Sequence, residues 1–165
     1  MKAKVNGRAW QKTYNNAYQT VRGFTTKPDS ANCFRKSISV YSMLYDSEGV
    51  LQQLLSFEKI PVKPGRYHVA PVSETFCKDT LFVQATLETF IDEDIFRDRY
   101  EILSLEENYL HLNEYQENGS MEIKGTFSVS FVLRSKRYSN SFEDTLRFTN
   151  GQFHTKIVTP VKRHL

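Results

Sequence analysis

The sequence predicts an all-β domain: an antiparallel barrel or β-sandwich of about eight to ten short strands, with at most one short helix. Apolar and polar residues alternate with period two in segment after segment. Glycine, Asn-Gly and proline punctuate those segments at short intervals. The segments are also rich in Thr, Ser, Val and Phe, which suit a pleated, half-buried surface.

Taken in order, "MKAKVNGRAW" enters a strand and turns at Val5–Gly7. "KSISVYSMLY" puts Ile38, Val40 and Leu44 on one face and Tyr41, Met43 and Tyr45 on the other. "DSEG" ends that strand at Gly49. "GVLQQLLSFEKI" fits a strand with Leu51, Leu55 and Phe57 on one side. It also fits a short helix with Val50, Leu51, Leu54 and Leu55 on one face. Its position between a tight turn and Pro61 favours the strand. "KPG" from Lys63 to Gly65 punctuates next. "DTLFVQATLETFI" places Leu81, Val83, Ala85, Leu87 and Ile91 together, with Phe82 and Phe90 opposite.

"TFIDEDIFRDRYEIL" resembles a capped helix, with Thr89 three residues before Asp92 and acids ahead of Arg97 and Arg99. A charged loop is the alternative. "NYLHLNEY" pairs Leu110 with Leu112. "QENGSM" and "TNGQ" carry Asn118-Gly119 and Asn150-Gly151, each a hairpin signal. Between them, "IKGTFSVSFVL" sets Ile123, Phe127, Val129, Phe131 and Leu133 inward. "DTLRF" adds Leu146 and Phe148. On this reading all seven glycines fall at or beside turns or strand starts. The rhythm of glycine, spacer, aromatic and alternating run recurs at Gly65, Gly125 and Gly151. It reads as a tight strand entry followed by an inward aromatic row. Uneven spacing argues against a repeat architecture.

The 165 residues suit one domain, 1–165. A content of 39% hydrophobic and 13% aromatic residues excludes a disordered chain. The net charge of +3 is small, and the basic runs (Arg134, Lys136, Arg137; Lys162, Arg163, His164) read as a strand end and a terminus. Nucleic acid is therefore not the expected partner. No run approaches the ~20 apolar residues of a membrane helix. The opening residues hold no apolar signal core, so the protein is either cytoplasmic or has lost an export signal. Cys33 and Cys77 form a disulfide if the protein is exported, closing a long loop worth about 4 kcal/mol, or remain two buried thiols.

No phosphate loop, nucleophile elbow or zinc-protease motif is present. His68, His111 and His154 fall on the polar parity and face solvent; a shared metal site is the less favoured reading. Asp92, Glu93 and Asp94 lack the spacing of a calcium loop. Glu106 and Glu107, beside Asn108, read as a turn. Catalytic residues, metals and cofactors are not expected. Tyr67, Phe127, Phe131, Phe148 and Phe153 point inward. They either fill the core, the favoured reading, or line a cavity for one small hydrophobic ligand. Trp10, Tyr14 and Tyr18 form a lid over a barrel end or an exposed sugar-stacking patch; the lid is favoured.

"AKVNGRAW", "FEKIPVKPGRYHV", "NGSMEIKGTFSVSF" and "TNGQFHTKI" together resemble small β-domains of unknown function in secreted proteins and lipoproteins of Bacteroidetes-type bacteria. Those domains show V-x-G-x-x-W, I-P…G-x-Y, V-x-G-T-F and I-T-N-G-x-F in this order. The resemblance touches landmarks from residue 3 to 157. It implies a lipocalin-like (calycin-like) fold and a cell-envelope or secreted setting, with any lipid tether lost with the signal region. It carries no catalytic residues. The expected function is a non-enzymatic domain binding a small hydrophobic ligand. The alternative is a filled-core domain that meets an envelope protein or glycan on its surface.

Overall fold

The computed structural model describes residues 1–13, 16–26, 36–72, 82–92, 95–116, 121–136 and 142–158. The strands are β1 (Lys2–Val5), β2 (Arg8–Ala9), β3 (Tyr18–Thr26), β4 (Ser37–Tyr45), β5 (Leu51–Pro61) and β6 (Gly65–Ala70). They continue with β7 (Val83–Asp92), β8 (Ile95–Ile102), β9 (Tyr109–Tyr115), β10 (Glu122–Lys136) and β11 (Thr145–Val158). One 3-10 turn, Trp10–Lys12, is the helical element among them. The fold is all-β, as the alternation predicts. Among the described residues the strands number eleven, beyond the expected eight to ten, because a two-residue strand and β8 join the expected set.

All eleven strands belong to one sheet, which closes on itself. The ring runs β11–β3–β4–β5–β7–β6–β9–β10 and returns to β11; β8 bridges β7 and β10, and the β1–β2 hairpin hangs on β11. Pairing is antiparallel except at two short places. Gly23 and Phe24 of β3 lie parallel to Ile157 and Val158 of β11. Val69 and Ala70 of β6 lie parallel to Val83 and Gln84 of β7.

Bulges steer the alternation. Phe127 faces Gly151 and Val129 faces Phe148, so Thr149 and Asn150 together oppose Ser128. Asn150 takes φ 53°, a left-handed conformation that asparagine tolerates. Asn150-Gly151 is therefore a bulge inside one continuous strand, and the expected hairpin is absent there. The bulge flips parity, which is how Phe148 and Phe153, an odd number of residues apart, both face inward. A second bulge at Lys59 (φ 59°) does the same for Phe57 and Ile60.

The glycines behave differently from the turn reading. Gly23, Gly125 and Gly151 lie inside strands. Gly125 pairs with Phe153 and Gly151 with Phe127. A Cβ on Gly151 would lie 2.6 Å from three Phe127 ring atoms, and one on Gly125 would strike Phe153 and approach the His111 carbonyl to 2.6 Å. Two inner rows follow: Tyr67–Leu110–Phe127–Gly151 and Gly65–Leu112–Gly125–Phe153. Each ring lies across the bare backbone of the neighbouring strand. Large and absent side chains thus alternate to fit the curvature of a closed barrel.

The described residues of the charged stretch, Thr89–Asp92 and Ile95–Ile102, are strand and not helix. They form the end of β7 and all of β8, paired antiparallel from Thr86↔Glu101 to Asp92↔Ile95. Their acids and arginines imitate helix-end signals. Period-two burial of Asp98, Tyr100 and Ile102 decides the outcome. Irregular register at Phe90 also reverses the expected faces: Phe90 is 5% exposed and Ile91 37%.

The core is filled by large rings. Trp10, Tyr100, Phe57, Phe127, Phe131 and Phe148 are all fully buried. Phe57 meets Phe127 at 4.9 Å, Phe131 meets Phe148 at 5.8 Å and Trp10 meets Phe148 edge-on at 5.2 Å. Trp10 Nε1 donates to Gln53 Oε1 at 2.7 Å, which satisfies the indole inside the barrel. The lid reading fits Trp10. Tyr18 stays outside, stacked on Tyr45 at 4.9 Å. Cys33, Cys77, Tyr14, Leu81, Glu93, Asp94, Arg137, the Asn118-Gly119 turn and the Lys162–His164 run lie outside the described residues.

Gly151→Ala is expected to cost about 1–3 kcal/mol through overpacking. The reading is a lower urea midpoint at unchanged slope, and the cost should shrink in a Phe127→Leu background. An unmoved midpoint contradicts the ring-on-glycine packing. Trp10 is the one tryptophan of the chain and is fully buried. Its native fluorescence should resist iodide quenching until unfolding; ready quenching of the folded protein contradicts the burial of Trp10.

Candidate polar cleft on the outer wall

The five residues expected to line a barrel interior are placed as follows. Phe127, Phe131, Phe148 and Phe153 are buried, ring against ring or across a glycine. Tyr67 is half-buried, donates its hydroxyl to the Lys63 carbonyl, and burial pushes its phenol above the ordinary value.

The outside offers a different site. The outward parity of the same strands forms a cleft of about 600 Å³ across β9, β10, β11 and the start of β1. Its lining comprises Met1, Lys2, Asn113, Glu114, Lys124, Gly125, Thr126, Gln152, Phe153 and His154. Register explains the assembly. Thr126 pairs with Gln152, and Gln152 with Lys2, so one polar row crosses three strands. Lys124 pairs with both Glu114 and His154, which makes a second row. Successive strands stand ~4.8 Å apart and same-face residues ~7 Å apart, so the two rows frame a patch about the size of a small ligand. A bulge in β9 contributes too: Lys124 faces Glu114 and Gly125 faces Leu112, so Asn113 is the extra residue. Asn113 and Glu114 then both turn outward.

Charge in the cleft is partly neutralised. Lys124 Nζ donates to Glu114 Oε2 at 2.9 Å, and that bond raises the lysine pKa. A 2.9 Å hydrogen bond joins His154 Nε2 to Glu122 Oε2 and, as the largest cause, lowers the Glu122 pKa. Lys2 makes no ion pair among the described residues. The lining supplies amide, hydroxyl, ammonium, imidazole and carboxylate groups side by side. The imidazole is engaged by the Glu122 carboxylate.

His68, His111 and His154 are all exposed, as their parity predicts. Among the described residues no three His, Cys, Asp or Glu side chains cluster closely enough to hold a metal ion. Glu106 and Glu107 do sit in a turn. The sequence reading missed the residue that anchors it: buried Asn108 donates to the Leu103 and Glu106 carbonyls (2.9 and 2.8 Å), and its Oδ1 accepts from the Ser130 amide at 2.7 Å. The cleft was missed as well. Lys124, Thr126, Gln152 and His154 were visible as the polar side of alternating runs; no local signal marks which strands adjoin.

Fold and cleft together define a closed, mostly antiparallel β-barrel with buried aromatic rings inside and a polar outer depression. No family model, no curated protein and no solved structure matches this chain. Among the described residues no helix is long and apolar enough to cross a membrane.

The Glu122 carboxyl is expected to titrate below the ordinary ~4.3 of glutamate. A depressed folded-state value stabilises above the ordinary range and is lost as pH falls through it. Carbon-detected NMR titration should show the low midpoint, and His154→Ala should raise it. An unchanged midpoint in the variant contradicts the pairing.

Proposed function

We propose that this protein is a non-enzymatic binding domain with a filled core, and that it takes a saccharide-type ligand in the outer cleft. The observation that carries the reading is the division of labour along β10 and β11. Their inward residues pack against each other, while their outward residues gather a roughly 600 Å³ depression lined with hydrogen-bonding groups. That volume falls in the range of small-molecule sites. A polyhydroxylated ligand needs donors and acceptors in close alternation, which Asn113, Thr126, Gln152 and Lys124 supply. Met1, which is only partly buried, gives the same cleft an apolar margin for sugar C–H groups. The cell-envelope setting rests on the order of the sequence landmarks, and a glycan ligand is consistent with it. The interior hydrophobic-ligand reading asks the buried phenylalanines to part from one another.

Titrating isotope-labelled protein with a panel of oligosaccharides should shift amide signals of Asn113, Lys124, Thr126, Gln152 and His154. Thr126→Ala combined with Gln152→Ala should weaken binding about tenfold, from two lost hydrogen bonds. Titration with a medium-chain fatty acid provides the contrast. Shifts centred on Phe127, Phe131 and Phe148 would return the assignment to the barrel interior.

A further inference from the structure

Resting on the cleft reading above, we infer that the ligand is an anionic saccharide, carrying a carboxylate or a sulfate. Three basic side chains, Lys2, Lys124 and His154, line the cleft against one carboxylate, Glu114. The Lys124–Glu114 bond uses that single negative charge internally. Glu122, which holds His154 Nε2, is outside the lining. Among the described residues Lys2 is the side-chain ammonium of the lining that makes no ion pair, while the Met1 ammonium beside it donates to Gln19 Oε1 at 2.8 Å. Register places Lys2 directly beside Gln152, itself beside Thr126. An anionic group at the β1 edge thus meets Lys2 while neighbouring hydroxyls reach Gln152 and Thr126. No side-chain carboxylate in the lining stands on that row to repel it. Cations exposed to water steer more than they hold, so the preference is salt-dependent.

The test compares three oligosaccharides of one backbone: a uronate form, its carboxyl-reduced neutral form and a sulfated neutral form. Calorimetry at low salt should show the uronate or the sulfated form, or both, binding about fivefold or more tighter than the neutral one, the scale of one unit-charge contact in water. Which of the two binds tighter assigns the anion. Lys2→Gln should bring the anionic forms down to the affinity of the neutral one. Glu114→Gln frees Lys124 and should tighten the anionic ligand further. Equal affinity for all three, or no effect of either substitution, overturns the anion preference while the cleft as a saccharide site stands. Failure of all three sugars to bind overturns both.

Discussion

Two phenylalanines lying across two glycines hold this barrel in shape. In the β10–β11 pair, Phe127 covers Gly151 and Phe153 covers Gly125. A long antiparallel ladder can coil tightly only where its concave face is not crowded by side chains. Removing two Cβ atoms makes that room, and the rings reclaim it as buried apolar surface. The arrangement is reciprocal, so neither strand can slide by one residue without driving a ring into backbone. Bending at this corner lets β11 reach β1 and β3 on one edge while β10 reaches β8 and β9 on the other.

The outer wall inherits its form from that inner lattice. Because the ladder is pinned, Thr126, Gln152 and Lys2 fall in one row, and Glu114, Lys124 and His154 in the next. Bulges at Asn113 and Asn150 turn two consecutive residues outward at each place, which adds polar groups without disturbing the core. Exposed ion pairs here contribute little to stability. Their effect is to set which charges remain available at the surface.

Where alternation ran unbroken, the sequence was legible. Ile38, Val40 and Leu44 on β4, and Ile123, Phe127, Val129 and Phe131 on β10, are buried as their spacing requires. Reading faltered where one local signal serves two structures. Asn-Gly permits positive φ, which suits a hairpin turn and a bulge alike; partners on both sides of β11 select the bulge. The acids and arginines from Asp92 to Arg99 imitate helix ends, yet pairing with β7 and β10 makes a strand. The cleft depends on which distant strands adjoin, and register of that range leaves no trace in neighbouring residues. Asn108 looked like an ordinary turn residue because the groups it bonds include one on β10, far along the chain.

The ring closes through two parallel residue pairs between β3 and β11, supported by Thr155 Oγ1 donating to the Val21 carbonyl at 2.9 Å. Gly23 permits that approach, since a Cβ there would sit 3.2 Å from the Lys156 carbonyl. On a ribosome, β11 emerges after every other strand. Until it appears, β1, β3 and β10 each lack a neighbour, and three edges stay open. Such long-range closure is slow to form and invites intermolecular pairing in the interval. The arrival of β11 therefore removes three pairing-competent edges in one step, and the finished barrel leaves none of them open.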